Sequence, residues 1–268
     1  MQGLLIDGFR FAGVAVAALL VAGVASAQFV TDGLVGYWSL DASTISGDTV
    51  QDVWGDSDGV INGALESATG RVGGALEFDG VSEIEIDGTD ALNLNGLDSF
   101  SVVAWANAAS DAPVEGAVPG LCCGSIVAQR DVNGWALRYD AREVGTEYEF
   151  IVNTGSWQGD GAFGAPQFPA GEWHHLAGVL DAGTMAIYLD GALLMELPDA
   201  GALSSEGSEL DIGHAGDGGF VGLIDEVGVY NRALSADEVA TNFSVGGLVA
   251  VEPAGKLATR WASIKQDR

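Results

Sequence analysis

Residues 222–235 read GLIDEVGVYNRALS, and this stretch decides the fold because it joins a strand to a capped helix. Hydrophobic residues alternate imperfectly from 221 to 230, which predicts a strand covered on one face. Residues 235–238 (SADE) form a capping box, so a short helix is predicted to begin there. The acidic pair Asp225 and Glu226 interrupts the apolar strand. A carboxylate in that position requires a partner, a metal ion or water, because desolvating it alone is costly.

The amino-terminal segment predicts export. Residues 11–24 are an apolar run preceded by Arg10 and followed by the sequence ASA at 25–27. The run is too short to span the roughly 30 Å of bilayer hydrocarbon. The Ala-x-Ala ending predicts a signal peptide, residues 1–27, whose cleavage leaves Gln28 first; an uncleaved anchor is the alternative. We therefore expect a secreted or extracytoplasmic protein, in the periplasm or at the cell surface, with no transmembrane span in the mature chain.

The charge of the chain is strongly negative. Its 38 Asp and Glu residues stand against 10 Lys and Arg, which gives a formal net charge of -28. Such a surface repels nucleic acid, so no nucleic-acid partner is expected. The acidity has two interpretations that do not exclude each other. It is either a solvated surface that keeps an extracellular protein soluble, or a set of carboxylates gathered for divalent cations.

The two cysteines, Cys122 and Cys123, are adjacent. In an oxidising compartment a vicinal disulfide is possible, and it would rigidify one loop without linking distant segments. Neither the cysteines nor the three histidines have the spacing of a zinc site.

Between residues 31 and 247 the chain is a series of short strand-like runs separated by turns. Glycine totals 40 residues, far above the usual share. Regular short strands with turn signals favour an all-β sandwich or jelly roll. The dipeptide Asp190-Gly191 predicts a tight type I′ hairpin. After residue 247 a basic tail, 248–268, carries four of the ten basic residues. It is either a flexible extension or a strap on the acidic body, anchored by Trp261.

Several segments resemble one family when they are taken in order. They are GLVGYWSLD (33–41), GGALEFDGV (73–81), FSVVAW (100–105), GEWHHLAGV (171–179), IYLDG (187–191) and the opening stretch 222–235. Together they resemble the LamG-like jelly-roll family of the concanavalin A-like lectin/glucanase superfamily. The resemblance implies a jelly-roll domain over 28–247, built from two antiparallel sheets packed as a β-sandwich, with one short C-terminal helix. It also implies core positions for the aromatic residues Trp38, Phe78, Trp105, Trp173 and Tyr188.

Members of this family often carry a structural calcium ion where the first and last strands meet, and the resemblance implies such a site here. Asp79 and Asp225 match the acidic positions of two family motifs. The loop 52–63 would complete the ligand set with Asp52 and Asn62, because calcium takes six to eight oxygen ligands. The alternative is a hydrogen-bonded turn, with Asp79 capping its own loop and Asp225 pairing with an arginine, Arg71 or Arg232.

A catalytic site is not expected. Glucanases of the superfamily carry a Glu-x-Asp-x-x-Glu strand, and the segment from Glu85 to Asp90 resembles it superficially. Gly88 weakens the strand where the third carboxylate must project, and the third acidic residue is the shorter Asp90. A solvated acidic face is the better interpretation, and no Ser-His-Asp or Cys-His arrangement is present.

Without a catalytic arrangement, the sequence predicts a secreted binding module for an extracellular glycan. Sugar recognition needs aromatic rings to stack on pyranose faces and polar groups to bond the hydroxyls. The candidate aromatic residues are Trp135, Trp157, Phe163 and Phe168, and the candidate polar ones are Arg138, Asn153, Gln158 and Asp160. The alternative for these rings is that they only close the edge of the sandwich. The alternative is a protein-binding adhesion or structural module of the cell envelope that binds a cell-surface protein. A glycoside hydrolase of the same fold is the third hypothesis.

Overall fold

The structure is a computed structural model that describes residues 27–109, 123–129, 133–140, 148–159, 164–165, 171–216 and 218–248. The strands are β1 (Leu34–Trp38), β2 (Ile45–Ser46), β3 (Thr49–Val50), β4 (Gly59–Asn62), β5 (Glu66–Thr69), β6 (Gly74–Asp79), β7 (Glu83–Ile86), β8 (Phe100–Ala108), β9 (Cys123–Gln129), β10 (Trp135–Asp140), β11 (Tyr148–Asn153), β12 (Trp157–Gln158), β13 (Gly164–Ala165), β14 (His174–Asp181), β15 (Thr184–Leu189), β16 (Ala192–Leu197), β17 (Leu210–Ile212), β18 (His214–Ala215), β19 (Gly218–Gly219) and β20 (Val221–Tyr230). A 3₁₀ turn covers Ala42–Thr44, and one helix, α1, covers Ala236–Val245.

The strands form two sheets. In the first sheet the order is β16-β15-β14-β8-β20-β6-β5, with β1 also paired to β20. In the second the order is β12-β11-β10-β9-β17-β7-β4-β3-β2, with β13 beside β11 and the β18–β19 pair attached at β9. The described pairings are antiparallel, apart from a single parallel pair between β19 and β9. The predicted all-β sandwich of two antiparallel sheets with one short helix is therefore confirmed.

The main hydrophobic core lies between the two sheets. Trp38 and Phe78 are buried in it, as predicted. Trp105 and Tyr188 are also buried, but Tyr188 belongs to a second cluster, which also includes Val239 of α1. Trp173 was expected in the core and is only half-buried, because it precedes β14 and does not take part in the ladder. The side chains of a strand alternate between the faces of its sheet, so each face of the first sheet has its own apolar cluster.

The local signals read from the sequence hold in the structure. Ser235 caps α1 with its side chain accepting from the Glu238 amide, and the Glu238 side chain accepts from the Ser235 amide. Asp190 and Gly191 both have positive φ, 49° and 78°, as a type I′ turn requires. No helix in the described part of the chain is long and apolar enough to cross a membrane. The predicted signal peptide apart from Ala27, Cys122 of the predicted disulfide, and residues 249–268 of the tail lie outside the described residues.

Candidate functional site

The first candidate site lies at an irregularity in the long strand β20. Residues 221–224 of this strand pair with β6, whereas residues 227–230 pair with β1. Between the two, the register with β8 shifts across Asp225 and Glu226, and Glu226 has a φ of +54°. A bulge of this kind inserts an extra residue and redirects side chains. Both carboxylates are buried, and Asp41 follows β1 nearby. We call Asp41, Asp225 and Glu226 the acidic crevice.

Asp225 has only part of its hydrogen-bonding capacity satisfied. Its Oδ2 accepts a hydrogen bond from the backbone N–H of Val72 at 3.0 Å. Its Oδ1 is buried and has no hydrogen-bond partner within the described residues. Burial, with a smaller contribution from the negative charge of Asp41, raises the pKa of Asp225 to about 7. The predicted pairing with Arg71 or Arg232 is not formed by their side chains, because Arg71 lies over the Trp105 ring at 4.6 Å and Arg232 pairs with Glu238 at 2.7 Å.

Glu226 is held by the hydroxyl of Tyr37, which donates a hydrogen bond to its Oε2. The same hydroxyl accepts a hydrogen bond from the backbone N–H of Leu248 at 2.9 Å. Burial raises the pKa of Glu226 to about 8, and the charges of Asp225 and Asp41 act in the same direction. Two carboxyl groups with pKa values raised in this way lie in an environment that disfavours their ionised form, unless a cation compensates.

The acidic crevice adjoins a cavity of about 250 Å³. Glycine residues bring the backbone close to its carboxylates. The lining residues are Ser39, Asp41, Ser43, Thr44, Val53, Val72, Glu226 and Leu248. The backbone N–H of Gly74 donates to Asp41 Oδ1 at 2.6 Å. A Cβ at Gly247 would overlap the Glu226 carboxylate, and a Cβ at Gly70 would lie 2.6 Å from Asp225 Oδ2. The glycines therefore allow the chain to pass close to the carboxylates.

The structure does not bring the four predicted metal ligands together. Val221 pairs with Asp79 in the ladder, so Asp225 lies four residues further along β20, roughly 13 Å away. Asp79 accepts hydrogen bonds from the amides of Val81 and Ser82, which makes it the cap of its own turn. Asp79 and Asp225 therefore cannot share one ion.

The other two predicted ligands have local structural roles. The Asp52 carboxylate accepts hydrogen bonds from four backbone amides, those of Tyr37, Trp54, Gly55 and Ser57. This arrangement holds the loop 52–57 against β1. Asn62 donates to Glu85 Oε2 at 2.7 Å at the surface of the second sheet. The expected set of Asp79, Asp225, Asp52 and Asn62 is thus wrong as a single site, because sheet register and turn formation separate its members.

The three carboxylates of the acidic crevice interact electrostatically with one another, whereas the members of the predicted ligand set are dispersed. No group of three or more His, Cys, Asp or Glu side chains is arranged to enclose a metal ion in the described ranges. Asp41 and Glu226 line the cavity, whereas the buried Oδ1 of Asp225 is not part of its lining and has no hydrogen-bond partner among the described residues. Calcium takes oxygen ligands from carboxylates, backbone carbonyls and water in flexible geometry. Asp41 and Glu226 were not among the ligands predicted from the sequence, although the adjacent acidic pair in β20 was a visible signal.

The predicted ligand-binding residues fall into different environments. Trp135 is fully buried in the core between the sheets, so its predicted ligand contact is wrong. Arg138 points to the opposite face of β10, where it is buried and pairs with Glu149 at 2.8 Å. Asn153 is also buried, and its Oδ1 accepts from the Gly155 amide at 2.9 Å. Phe163, Phe168 and Asp160 lie outside the described residues.

Among the predicted ligand-binding residues that the structure describes, Trp157 has a partly exposed side chain. It lies on β12 at the edge of the second sheet, half-buried. Its ring packs against the small cluster of Ala128, Ala136, Ile151 and Ala215 on the sheet face opposite the core. Gln158 follows it on the same short strand, half-buried, with a side-chain amide.

The two glutamates of the acidic strand β7 each have a partner on a neighbouring segment. Glu83 Oε2 lies 3.3 Å from the Nδ1 atom of His214, and Glu85 accepts from Asn62. Near Asp87, a Cβ at Gly88 would collide with Ser208, so the backbone there packs tightly against a neighbouring loop.

The two other histidines are part of the packing: His175 stacks edge-on with Trp105 at 5.2 Å, and His174 Nδ1 lies 2.9 Å from Asp190. Burial lowers the pKa of His175 to about 4, so its ring is neutral at physiological pH.

A family model described as the concanavalin A-like lectin/glucanases superfamily matches residues 79–240. No curated protein matches the chain. One similar solved structure is domain 4 of an extracellular arabinanase from Geobacillus stearothermophilus, in complex with arabinotriose. It has 20% sequence identity and a TM-score of 0.58, and the match covers 77% of this chain and 96% of that chain.

Two further solved structures are similar over a smaller part of their own length. The binding domain of Paraclostridial Mosquitocidal Protein 1 has 14% identity, 80% of this chain and 52% of that chain covered and a TM-score of 0.61. The Trypanosoma rangeli sialidase in complex with the inhibitor DANA has 19% identity, 84% and 34% covered and a TM-score of 0.56. The chain thus spans about half of the first protein and a third of the second. At these identities the similarity shows a shared fold.

Proposed function

The chain belongs to the concanavalin A-like lectin/glucanases superfamily, as its motifs predicted, and from this premise we propose that it is a non-catalytic module that binds an extracellular glycan. The observation that carries the proposal is the position of Trp157, half-buried on an apolar cluster at the face of the second sheet. A partly exposed indole that packs on an apolar cluster can offer a stacking surface for a sugar ring.

The surroundings of the acidic strand support a role without catalysis. Hydrolysis of a glycosidic bond requires two carboxyl groups on opposite sides of the bond, one of them protonated and one ionised. Of the described carboxylates on β7, Glu83 lies beside His214 and Glu85 is bonded to Asn62. The arrangement is that of a hydrated acidic face. Sialidases and arabinanases are among the proteins of similar structure, so the experiment below includes a test for hydrolysis.

The proposal includes a structural calcium ion at the acidic crevice, and not at the residue set predicted from the sequence. Asp225 would supply its buried Oδ1, with Asp41 and Glu226 as companions. A cation there supplies positive charge that compensates the buried carboxylates. The site lies on the first sheet, where β1 and β20 meet, whereas Trp157 lies on the second sheet. We therefore assign calcium a role in stability and no direct contact with the glycan.

Export is the remaining element of the proposal. Mass spectrometry of secreted material should find Gln28, or its cyclised form, at the amino end. Detection of Met1 there would contradict export with cleavage after residue 27.

A glycan array tests the binding function, run once with calcium and once with a chelator. We expect a glycan-specific signal that falls about fivefold to tenfold in Trp157→Ala, because stacking on an aromatic ring contributes about 1 kcal/mol. Trp54→Ala is the matched control, since Trp54 is also exposed but lies in the loop beside β1. Release of reducing ends from any polymer would favour the hydrolase. No glycan signal, together with binding to purified envelope proteins, would favour the adhesion module.

A further inference from the structure

The outer edge of the first sheet exposes an apolar strand. Among the described strands, β16 is paired only with β15 and ends the sheet. Three consecutive residues of β16 are exposed: Leu193 (46%), Leu194 (38%) and Met195 (39%). The register with β15 shifts beside Leu194, so that Leu193 pairs with Tyr188 on the outer face and Met195 pairs with Ile187 on the core side. The edge is therefore apolar on both sides. Natural proteins usually protect such an edge with charge, proline or a covering segment, because an unpaired apolar edge recruits other chains.

Negative charge surrounds this apolar edge. Glu196 is exposed on β16 itself, and Asp181 is exposed at the end of β14. Their effect is visible at Tyr188 on the intervening strand β15. Burial raises the pKa of Tyr188, and the charges of Glu196 and Asp181 raise it further. A segment that covers the edge must therefore combine apolar side chains with positive charge.

Residues 249–268 of the same chain have this combination. Both lysines of the protein, Lys256 and Lys265, are in this segment, together with two arginines. The apolar residues Leu257, Trp261 and Ile264 follow at intervals of four and three, which places them on one side of a helical turn pattern. The segment thus has an apolar side and a positive charge, while the body of the protein is acidic.

Residues 249–268 are long enough to reach the edge of β16 from Leu248, the last described residue. Leu248 is fixed over β1 by the hydrogen bond from its N–H to the Tyr37 hydroxyl. Five steps across the sheet separate β1 from β16, which corresponds to roughly 24 Å at the usual strand spacing. The nine residues from Leu248 to Leu257 span up to about 30 Å when extended.

A tethered segment also suits the size of the edge better than a second copy of the protein does. β16 has six residues, and pairing two such strands buries less than the roughly 800 Å² per partner of a stable dimer. A segment of the same chain needs less contact area, because its attachment gives it a high effective concentration.

We propose that residues 257–264 dock on the exposed edge of β16, with Trp261 as the anchor over Leu193, which lies on the same face of the sheet as Tyr188. The basic side chains of the segment then lie toward Glu196 and Asp181. Docking protects the edge of the first sheet from pairing with other chains.

Photo-crosslinking of the chain with residues 249–268 in place tests the proposal. Trp261 is replaced by p-benzoylphenylalanine, which keeps an aromatic ring at the anchor position, and crosslinked peptides are mapped by mass spectrometry. We expect crosslinks within one chain to residues 185–197. Crosslinks to other parts of the body, crosslinks between two chains, or none at all would overturn the proposal.

Two variants of this photo-crosslinking chain test whether the apolar edge is the docking surface. Leu193→Ser should reduce the crosslink yield at least fivefold. Val60→Ser is the matched control, because Val60 is similarly exposed but lies on the second sheet, and it should leave the yield unchanged. Circular dichroism confirms that each variant is folded. Equal yields in the edge variant and in the control would show that the segment does not recognise β16. High salt should lower the yield, since the charges are exposed to solvent.

Discussion

The substitution Asp225→Asn distinguishes two hypotheses for the acidic crevice: a calcium site, or a pair of buried carboxyl groups without a metal ion. The pKa of Asp225 rises from 3.8 to about 7 in the folded protein. Because the folded protein holds the proton more tightly than the unfolded chain, this group favours folding below pH 4, and that advantage is lost as the pH rises through 7. A pKa shift of this size lowers the free energy of unfolding by about 4 kcal/mol at pH 8, relative to its value at low pH. The metal-free protein should therefore melt at a lower temperature at pH 8 than at pH 5.

Calcium should reverse this loss in the unmodified protein. At a hundredfold excess of calcium over its Kd, the folded state gains about 2.7 kcal/mol, which corresponds to a rise of roughly 5–10 °C in Tm for a domain of this size. Magnesium should raise Tm less, because it demands octahedral geometry and keeps its waters. Asp225→Asn should remove most of the calcium effect while keeping the shape of the side chain.

In chelator at pH 8, the variant should be more stable than the unmodified protein. It loses the buried charge, although placing an amide N–H₂ where Oδ1 has no partner costs about 1–3 kcal/mol. Scanning calorimetry in calcium and in EGTA measures both effects. Asp79→Asn is the matched control and should keep the full calcium gain, since Asp79 only caps its own turn. Equal Tm values in calcium and EGTA for the unmodified protein would refute the calcium site.

Three further predictions concern the framework of the fold. Ser235→Ala should lower the free energy of unfolding by about 1 kcal/mol, measured by urea denaturation, because it removes the helix cap. Glu149→Gln should cost about 1–3 kcal/mol in the same assay, because it removes a buried carboxylate that faces Arg138 at 2.8 Å, while that of Asp140, at 3.9 Å, remains; an unchanged midpoint would contradict a structural role for the pair of Arg138 and Glu149. Hydrogen bonding from Arg232 lowers the pKa of Glu238 to about 2, so its contribution to stability should persist above pH 4.5 and vanish as the pH falls through 2. Arg232→Met should flatten that acid dependence in a Tm-against-pH series.

The fold was readable from the sequence because its signals are local. A strand followed by a capping box, a positive-φ hairpin at Asp190 and Gly191, and aromatic residues such as Trp38 in alternating strands each depend on neighbours within a few residues. Such patterns can be recognised without knowledge of the tertiary contacts. The same local reasoning assigned Trp135 to a ligand surface, because alternation alone does not tell which face of a strand meets the other sheet.

The sequence by itself determined that the chain forms short antiparallel strands, that a capped helix follows β20, and that two carboxylates interrupt an apolar strand. Only the tertiary structure decided which groups those carboxylates meet. The register of β6 against β20 places Asp79 beside Val221 and far from Asp225. The bulge in β20 and the glycines near it bring Asp41, Asp225 and Glu226 together instead. These residues lie up to 185 positions apart in sequence, and their meeting depends on strand register, which a single residue of slippage would change.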